Sequence, residues 1–264
     1  MPDFEADTAA GLAAETSLTL LGYQREVGHD ELPQLYAYPP GRAWVRANFI
    51  TSLDGGATVD GLSGQLGSPG DRAVFVVLRG LADVVVVGAG TVRSESYSGA
   101  HVSVPARQQR QARGQSEIPQ LAIVTKTGRL DRDLPVFTRT EVRPLILTCT
   151  AAADDAARQL TGLVDDVVDC SAQNSAELDV ATMLARLRAR GLGRVLTEGG
   201  PTLLGAFIDA DLLDELCLTI APVVVGGAAH RIAAGAGQLQ TRMRCAHVLT
   251  DDTGYLYTRY VRAE

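Results

Sequence analysis

The sequence predicts an α/β fold built on a mixed, mostly parallel sheet flanked by helices. Three observations carry that expectation. Short, wholly apolar, β-branched runs recur along the chain, segments with helical spacing separate them, and the last strands follow one another with little helix between. The first two describe parallel strands joined by helical crossovers. The third places antiparallel strands at the C-terminal end.

Residues 1–17 hold Ala, Thr, Asp and Glu with little apolar periodicity, which predicts a mobile tail ahead of a single domain over 18–264. Trp44 to Thr51 reads as the first strand, and Ser52-Leu53-Asp54-Gly55-Gly56 as the turn that follows it. Asp71 to Leu81 sets Val74, Val77, Leu78 and Leu81 on one helical face, with Pro69 near its start, where a missing N–H costs least. Asp83 to Val87 reads as a strand buried on both faces and ending at Gly88; Gln120 to Thr125 and Leu145 to Thr148 repeat that signal. Ala151 to Gly162 and Glu177 to Arg190 are predicted helices, alternating with strands at Val164 to Val168 and Arg194 to Thr197. Strands at Glu215 to Ile220, His247 to Thr250 and Tyr255 to Val261 complete the chain, the last two flanking the hairpin signal Asp251-Asp252-Thr253-Gly254. The polar stretch Arg107 to Glu117 reads as a mobile surface loop.

With 264 residues, 46% of them hydrophobic, the chain can bury a substantial core. A net charge of −7 and only 5% aromatic residues argue against a nucleic-acid reader, which needs a basic face or stacking platforms. The four cysteines, Cys149, Cys170, Cys217 and Cys245, and the scattered His29, His101, His230 and His247 show no metal-ligand spacing, so no metal is expected. No apolar run approaches the ~18 residues of a membrane span. The acidic N-terminus does not resemble a secretory signal, and a cytoplasmic location is expected.

The segment Arg194 to Phe207, RVLTEGGPTLLGAF, concentrates the chemistry. A buried strand brings Thr197 and Glu198 to its carboxyl end, Gly199 and Gly200 turn tightly without Cβ atoms, and Pro201 suits the first turn of a helix. That helix would offer unpaired N–H groups, aided by Thr202 and the macrodipole, to a phosphate or diphosphate. A turn needing glycine for packing alone would look similar; Glu198, at a strand end that commonly faces a ligand crevice, favours the functional reading. A second strand-to-glycine turn, Gly88-Ala89-Gly90-Thr91, lacks the further glycine of a dinucleotide fingerprint and is weak alone. Paired with the first, it could clamp one dinucleotide from the other side.

Asp54, at the end of the first strand, is placed either to orient a substrate or to cap its own turn. Thr125, Lys126, Thr127 and Arg129 follow a buried strand and offer hydroxyls and cations for a ribose 2′-phosphate, the feature that separates NADP from NAD, or else are simply solvated. Arg79 and Arg93 are candidates for a substrate phosphate, though isolated arginines are commonly surface residues.

Five segments in one order, ITSLDG, SG…SPGDR…LR, VVVGAGTVRSE, VLTEGGPTLLGAF and DELCLTIAPVVVGG, resemble the reductase domain of bacterial riboflavin biosynthesis, which has the dihydrofolate reductase-like fold. The resemblance spans roughly residues 44–262 and is nearest to a stand-alone actinobacterial form of that domain. It implies reduction of 5-amino-6-(5-phosphoribosylamino)uracil to its ribityl form with NADPH. By position, it implies that Gly200, Pro201, Thr202, Leu203, Leu204, Gly205 and Ala206, with Gly199, Gly88, Thr91 and Glu95, bind NADP. Ile50 would line the nicotinamide pocket, Ser63, Arg79 and Glu198 would lie on the substrate side, and Asp54 in the crevice between. The chain departs from the family in three places. It has no P-C-x-x-C of the zinc deaminase domain that begins the full-length enzymes, so deamination is not expected of it. Only Gln65-Leu66-Gly67 separates Ser63-Gly64 from Ser68-Pro69, where the family has a longer stretch with an aromatic residue. Ser96 to His101 lacks the family's Asp-Pro pair.

The expected reaction is hydride transfer from NADPH to C1′ of the ribosylamine as its open-chain imine. Reduction of a pterin such as dihydrofolate in the same crevice, and a non-catalytic NADP-binding module, are the competing readings. The apolar stretch Leu216 to Val225 suggests a sheet edge or face that pairs two copies into a homodimer.

Overall fold

The computed structural model describes residues 25–28, 31–235 and 237–263; the expected tail over 1–17 lies outside them. Seven parallel strands are β1 (Trp44–Ser52), β2 (Val84–Gly88), β3 (Gln120–Val124), β4 (Leu145–Thr148), β5 (Asp166–Asp169), β6 (Arg194–Thr197) and β7 (Glu215–Ala221). Two more, β8 (Met243–Thr250) and β9 (Leu256–Arg262), close the sheet antiparallel, as the C-terminal pattern predicts. The order is β5-β4-β3-β2-β6-β1-β7-β9-β8. The chain therefore runs outward from β2 to β5 and then returns to insert β6 between β2 and β1. That reversal opens a crevice outside the carboxyl ends of β2, β6 and β1.

The helices are α1 (Leu32–Leu35), α2 (Pro69–Leu81), α3 (Ala89–Ser94), α4 (Val104–Ala112), α5 (Pro135–Thr138), α6 (Thr150–Gln159), α7 (Val180–Ala189) and α8 (Pro201–Asp209). β2 shows why its run of valines reads as a doubly buried strand. Val85 and Val87 pack with Val74, Leu78 and Leu81 of α2 on one face. Val84 and Val86 share the opposite cluster with Met183 and Leu187 of α7 and Leu203, Leu204 and Phe207 of α8. Burying one such side chain is worth about 1.5–3 kcal/mol.

Three expectations are corrected. The stretch 107–117 is largely helical rather than a loop, because Ser103 caps α4 and Arg110 is fully buried. Its guanidinium donates to the carbonyls of Gly80 (3.1 Å) and Ala82 (2.6 Å), closing the end of α2. β8 begins at Met243 rather than His247; its polar, exposed first residues carry no alternation, and a register shift between Cys245 and His247 interrupts the ladder with β9. Leu216 to Ala221 is no edge: β7 is enclosed between β1 and β9, and the free edge on that side is β8. Among the described residues, no helix is long and apolar enough to cross a membrane, and no group of three or more His, Cys, Asp or Glu could hold a metal.

Candidate active site

A cleft of about 1610 Å³ lies at the carboxyl ends of β3, β2, β6 and β1. Its floor is where the two glycine turns meet. The N–H of Gly88 donates to the carbonyl of Gly199 at 2.8 Å, and the N–H of Glu198 to the carbonyl of Val86 at 3.1 Å. Gly199 has φ +137°, a conformation L side chains rarely adopt. A Cβ on Gly200 would stand 2.9 Å from Oγ1 of Thr91. No side chain caps α8, whose N-cap is Gly200, or α3, whose N-cap is Gly88, so both helices begin with free N–H groups at the cleft. Thr91, Pro201, Thr202, Leu203 and Ala206 line it. This is a cradle for an anion, with backbone donors and no Cβ in the way.

Glu198 continues from β6 into the cleft and is 3% exposed. Arg79 of α2 donates through Nε to Oε1 at 2.8 Å and through Nη2 to Oε2 at 2.6 Å, and Tyr97 donates its hydroxyl to the same carboxylate. Phe75 lies 4.1 Å from the guanidinium carbon, ring centroid to Cζ. A bidentate pair of this kind fixes both side chains, and its charges largely cancel. Arg79 is thus already committed and is not a free cation for a phosphate. Arg72, Arg93 and Lys126 also line the cleft, and among the described residues none of them has an ion-pair partner.

Ile50 and Ser63 line the cleft, and the Ser63 N–H donates to Oε1 of Glu95 at 2.9 Å, which ties the turn at Ser63 to the end of α3. Thr125 and Lys126 lie at the end of β3; the Thr125 hydroxyl accepts from the N–H of Gly128 at 3.2 Å, so its side chain serves the turn. Asp54 does not line the cleft. Its Oδ1 accepts from the Ser52 hydroxyl at 2.5 Å and the Val225 N–H at 3.1 Å, and its Oδ2 from the Gly226 N–H at 2.7 Å. These donors, the Ser52 hydroxyl first, hold its pKa down at about 2. Asp54 fastens the loop after β7 to the turn after β1, correcting its placement in the crevice. Leu204 and Gly205 are likewise outside the lining. Leu204 faces the core, and Gly205 abuts the Ala234 carbonyl, because helical periodicity turns them away from Thr202 and Ala206.

The sequence model of the RibD C-terminal domain matches residues 43–257. The chain belongs to the RibD C-terminal domain family. A relative from Archaeoglobus fulgidus, 2,5-diamino-6-ribosylamino-4(3H)-pyrimidinone 5′-phosphate reductase, is 25% identical over 187 residues, 70% of this chain and 83% of that protein. Riboflavin biosynthesis protein RibD of Mycobacterium tuberculosis is 29% identical over 194 residues, and the match spans 73% of this chain but 46% of that longer protein. Among solved structures, a pyrimidine reductase-like protein from Corynebacterium diphtheriae superposes with a TM-score of 0.78 at 26% identity, covering 90% of this chain and all of that one. The riboflavin biosynthesis reductase Rib7 of Saccharomyces cerevisiae shares the fold at 15% identity, with a TM-score of 0.62 over 89% of this chain and 97% of that one.

Within this RibD C-terminal fold, three cleft residues escaped sequence reasoning. Tyr97 sits in the loop after α3 and carries no local signal. Asn48 is spaced for a strand interior, yet its half-buried side chain lines the cleft. Asp71 was legible only as a residue of the first turn of α2. It lines the cleft, with Oδ1 accepting from the Thr219 hydroxyl at 2.7 Å. Burial raises its pKa, against the Thr219 hydrogen bond and the Arg72 charge.

Proposed function

We propose that this chain is an NADPH-dependent reductase of a phosphorylated ribosylaminopyrimidine in riboflavin biosynthesis. The observation that carries the reading is the abutment of the two glycine turns beside the Arg79–Glu198–Tyr97 cluster. It gives one cleft an anion cradle with a charged, orienting wall directly beside it. The fit to a dinucleotide rests on the Cβ-free cradle and on the two uncapped helix starts. The N–H groups at the start of α8, with Thr202 and Thr91, would hold the diphosphate, and Lys126 would meet the 2′-phosphate that distinguishes NADPH from NADH. When bound, NADPH supplies hydride to C1′ of the sugar as its open-chain imine.

The chain's own residues supply position. Ile50 presents an apolar wall at the end of β1 and excludes water from the reacting carbon. Arg79 holds the Glu198 carboxylate in a fixed orientation, from which it would orient sugar hydroxyls. The names of the relatives favour an enzyme over a binding module, since those of Archaeoglobus fulgidus and Methanothermobacter thermautotrophicus are reductases of a ribosylaminopyrimidinone phosphate. We also infer a homodimer, now resting on the free edge of β8 rather than on β7.

The test is the loss of NADPH absorbance on adding the ribosylaminopyrimidine phosphate. Turnover is expected with NADPH well above that with NADH. Tight NADPH binding without turnover of that substrate overturns the assignment.

A further inference from the structure

The β3 end of the cleft carries two opposite charges that do not meet. Lys126 lies just after β3 and Glu177 just before α7. Both line the cleft, both are exposed, and among the described residues neither has an ion-pair partner. The backbone fixes where each one stands. The N–H of Ala151 donates to the Ser175 carbonyl at 2.9 Å, that of Glu177 to Asn174 at 3.1 Å, and that of Asp179 to Cys170 at 2.9 Å. Asp179 then caps α7, accepting from the Thr182 N–H at 2.6 Å. On the other side, the Lys126 carbonyl accepts from the Cys149 thiol at 3.3 Å. Val124, Leu178, Val180 and Leu203 line the same cleft and pack against one core cluster, so the two charges stand at the rim of an apolar slot. In the sheet, β3 is three strand spacings of about 4.8 Å from β1, and β2 and β6 with their glycine turns lie between.

We propose that Glu177 reads the base of the cofactor, accepting from the 6-amino group of an adenine seated in this slot while Lys126 meets the 2′-phosphate. The inference rests on the cofactor reading above. With the nicotinamide at Ile50 and the diphosphate on the glycine turns, the order of the strands brings the adenosine to β3. Adenosine 2′-phosphate has the matching polarity, an anion on its ribose and N–H donors on the far edge of its base. A cation and a carboxylate that face one slot without pairing are complementary to it. The aliphatic walls take the flat face of any purine and do not discriminate between bases. Glu177 does, because a carboxylate only accepts. A 6-oxopurine would set its carbonyl oxygen against a carboxylate oxygen with no proton between them. Placed against the 2′-phosphate instead, Glu177 would repel it and oppose Lys126, so the two placements predict different responses to its removal.

Calorimetry with NADPH, NADH and the NADPH analogue that carries hypoxanthine in place of adenine tests this by binding alone. The wild type is expected to bind NADPH about fivefold to tenfold tighter than the hypoxanthine analogue, the scale of one hydrogen bond made in partly solvated surroundings. Glu177→Gln, at an exposed loop position, can accept from the amine or donate to the carbonyl, and should bring that ratio close to one. It should weaken NADPH and NADH by the same factor, since both carry adenine. Lys126→Gln should weaken NADPH and leave NADH unchanged. Equal wild-type affinities for the two bases overturn the proposal, and so does a Glu177→Gln protein that binds NADPH more tightly relative to NADH, which would place the carboxylate against the 2′-phosphate. Failure of the wild type to bind NADPH overturns the cofactor reading and this inference together, whereas NADPH binding that is indifferent to the base removes only the role of Glu177.

Discussion

Glu198 shows how one residue can be visible in sequence while its working partners are not. The TEGG turn places it at a strand end, but Arg79 lies 119 positions away and Tyr97 101 positions away. Only the folded chain pairs them. Glu198→Gln would leave the Arg79 guanidinium, which is 13% exposed, without its counter-charge. We expect a stability loss of about 3 kcal/mol by denaturant titration, together with a fall in turnover. A loss near zero would mean that the pair is solvated in solution. Asp54 teaches the converse. Its position in a turn was compatible with substrate contact, the expected role, and with capping, and the donors from Val225 and Gly226, far along the chain, make it a fastener. Its pKa is held below the ordinary ~4 of an aspartate. The stabilisation it gives is therefore fully present above pH ~4 and is lost as the pH falls through about 2. The amide resonances of Val225 and Gly226 should titrate with a midpoint near 2; a midpoint near 4 would show that the fastening is absent.

At the scale of elements, α8 is the clearest case of sequence dictating structure and then depending on a contact it cannot encode locally. Pro201 and the glycine pair announce its start, yet Gly205 looks like a helix defect. It is there because the loop after β7 lies on it. The N–H of Ala234 donates to the Pro201 carbonyl at 3.0 Å, and a Cβ on Gly205 would overlap the Ala234 carbonyl oxygen. Gly205→Ala should therefore lower the melting temperature, although alanine is the better helix former. Overpacking costs about 1–3 kcal/mol, and the propensity gain offsets about 1. NADPH affinity should weaken too, as the loop that braces the first turn of α8 shifts. A more stable variant would contradict this packing. α4 was illegible for a related reason. It has almost no apolar face, and what holds it is Arg110 reaching the carbonyls at the end of α2, a tertiary hydrogen bond without periodicity.

For the whole molecule, the alternation of strands and helices specified the sheet class, and the insertion of β6 between β2 and β1 specified where the cleft would be. Neither the strand order nor the free edge at β8 can be read from apolar runs, because β7 is as apolar as an exposed interface would need to be. Along β8 and its hairpin partner, Val248 is 37% and Leu256 38% exposed. If two copies pair there, Val248→Lys should convert a dimer to a monomer in sedimentation at micromolar concentration, with NADPH affinity retained. A monomeric wild type would remove the inference.

The sequence by itself determined the elements that rest on local periodicity and backbone chemistry: the doubly buried strands, the amphipathic α2, the glycine turns and the uncapped helix starts. Those features depend on residues within one or two turns of each other. Tertiary structure alone decided what each carboxylate meets. It paired Glu198 with Arg79, spent Asp54 on a loop, and left Asp71 open to the cleft, because the donors that satisfy or fail to satisfy each acid come from strands and loops distant in the chain. A carboxylate's role is set by its neighbours' hydrogen bonds and by its burial, and neither exists until the sheet has closed.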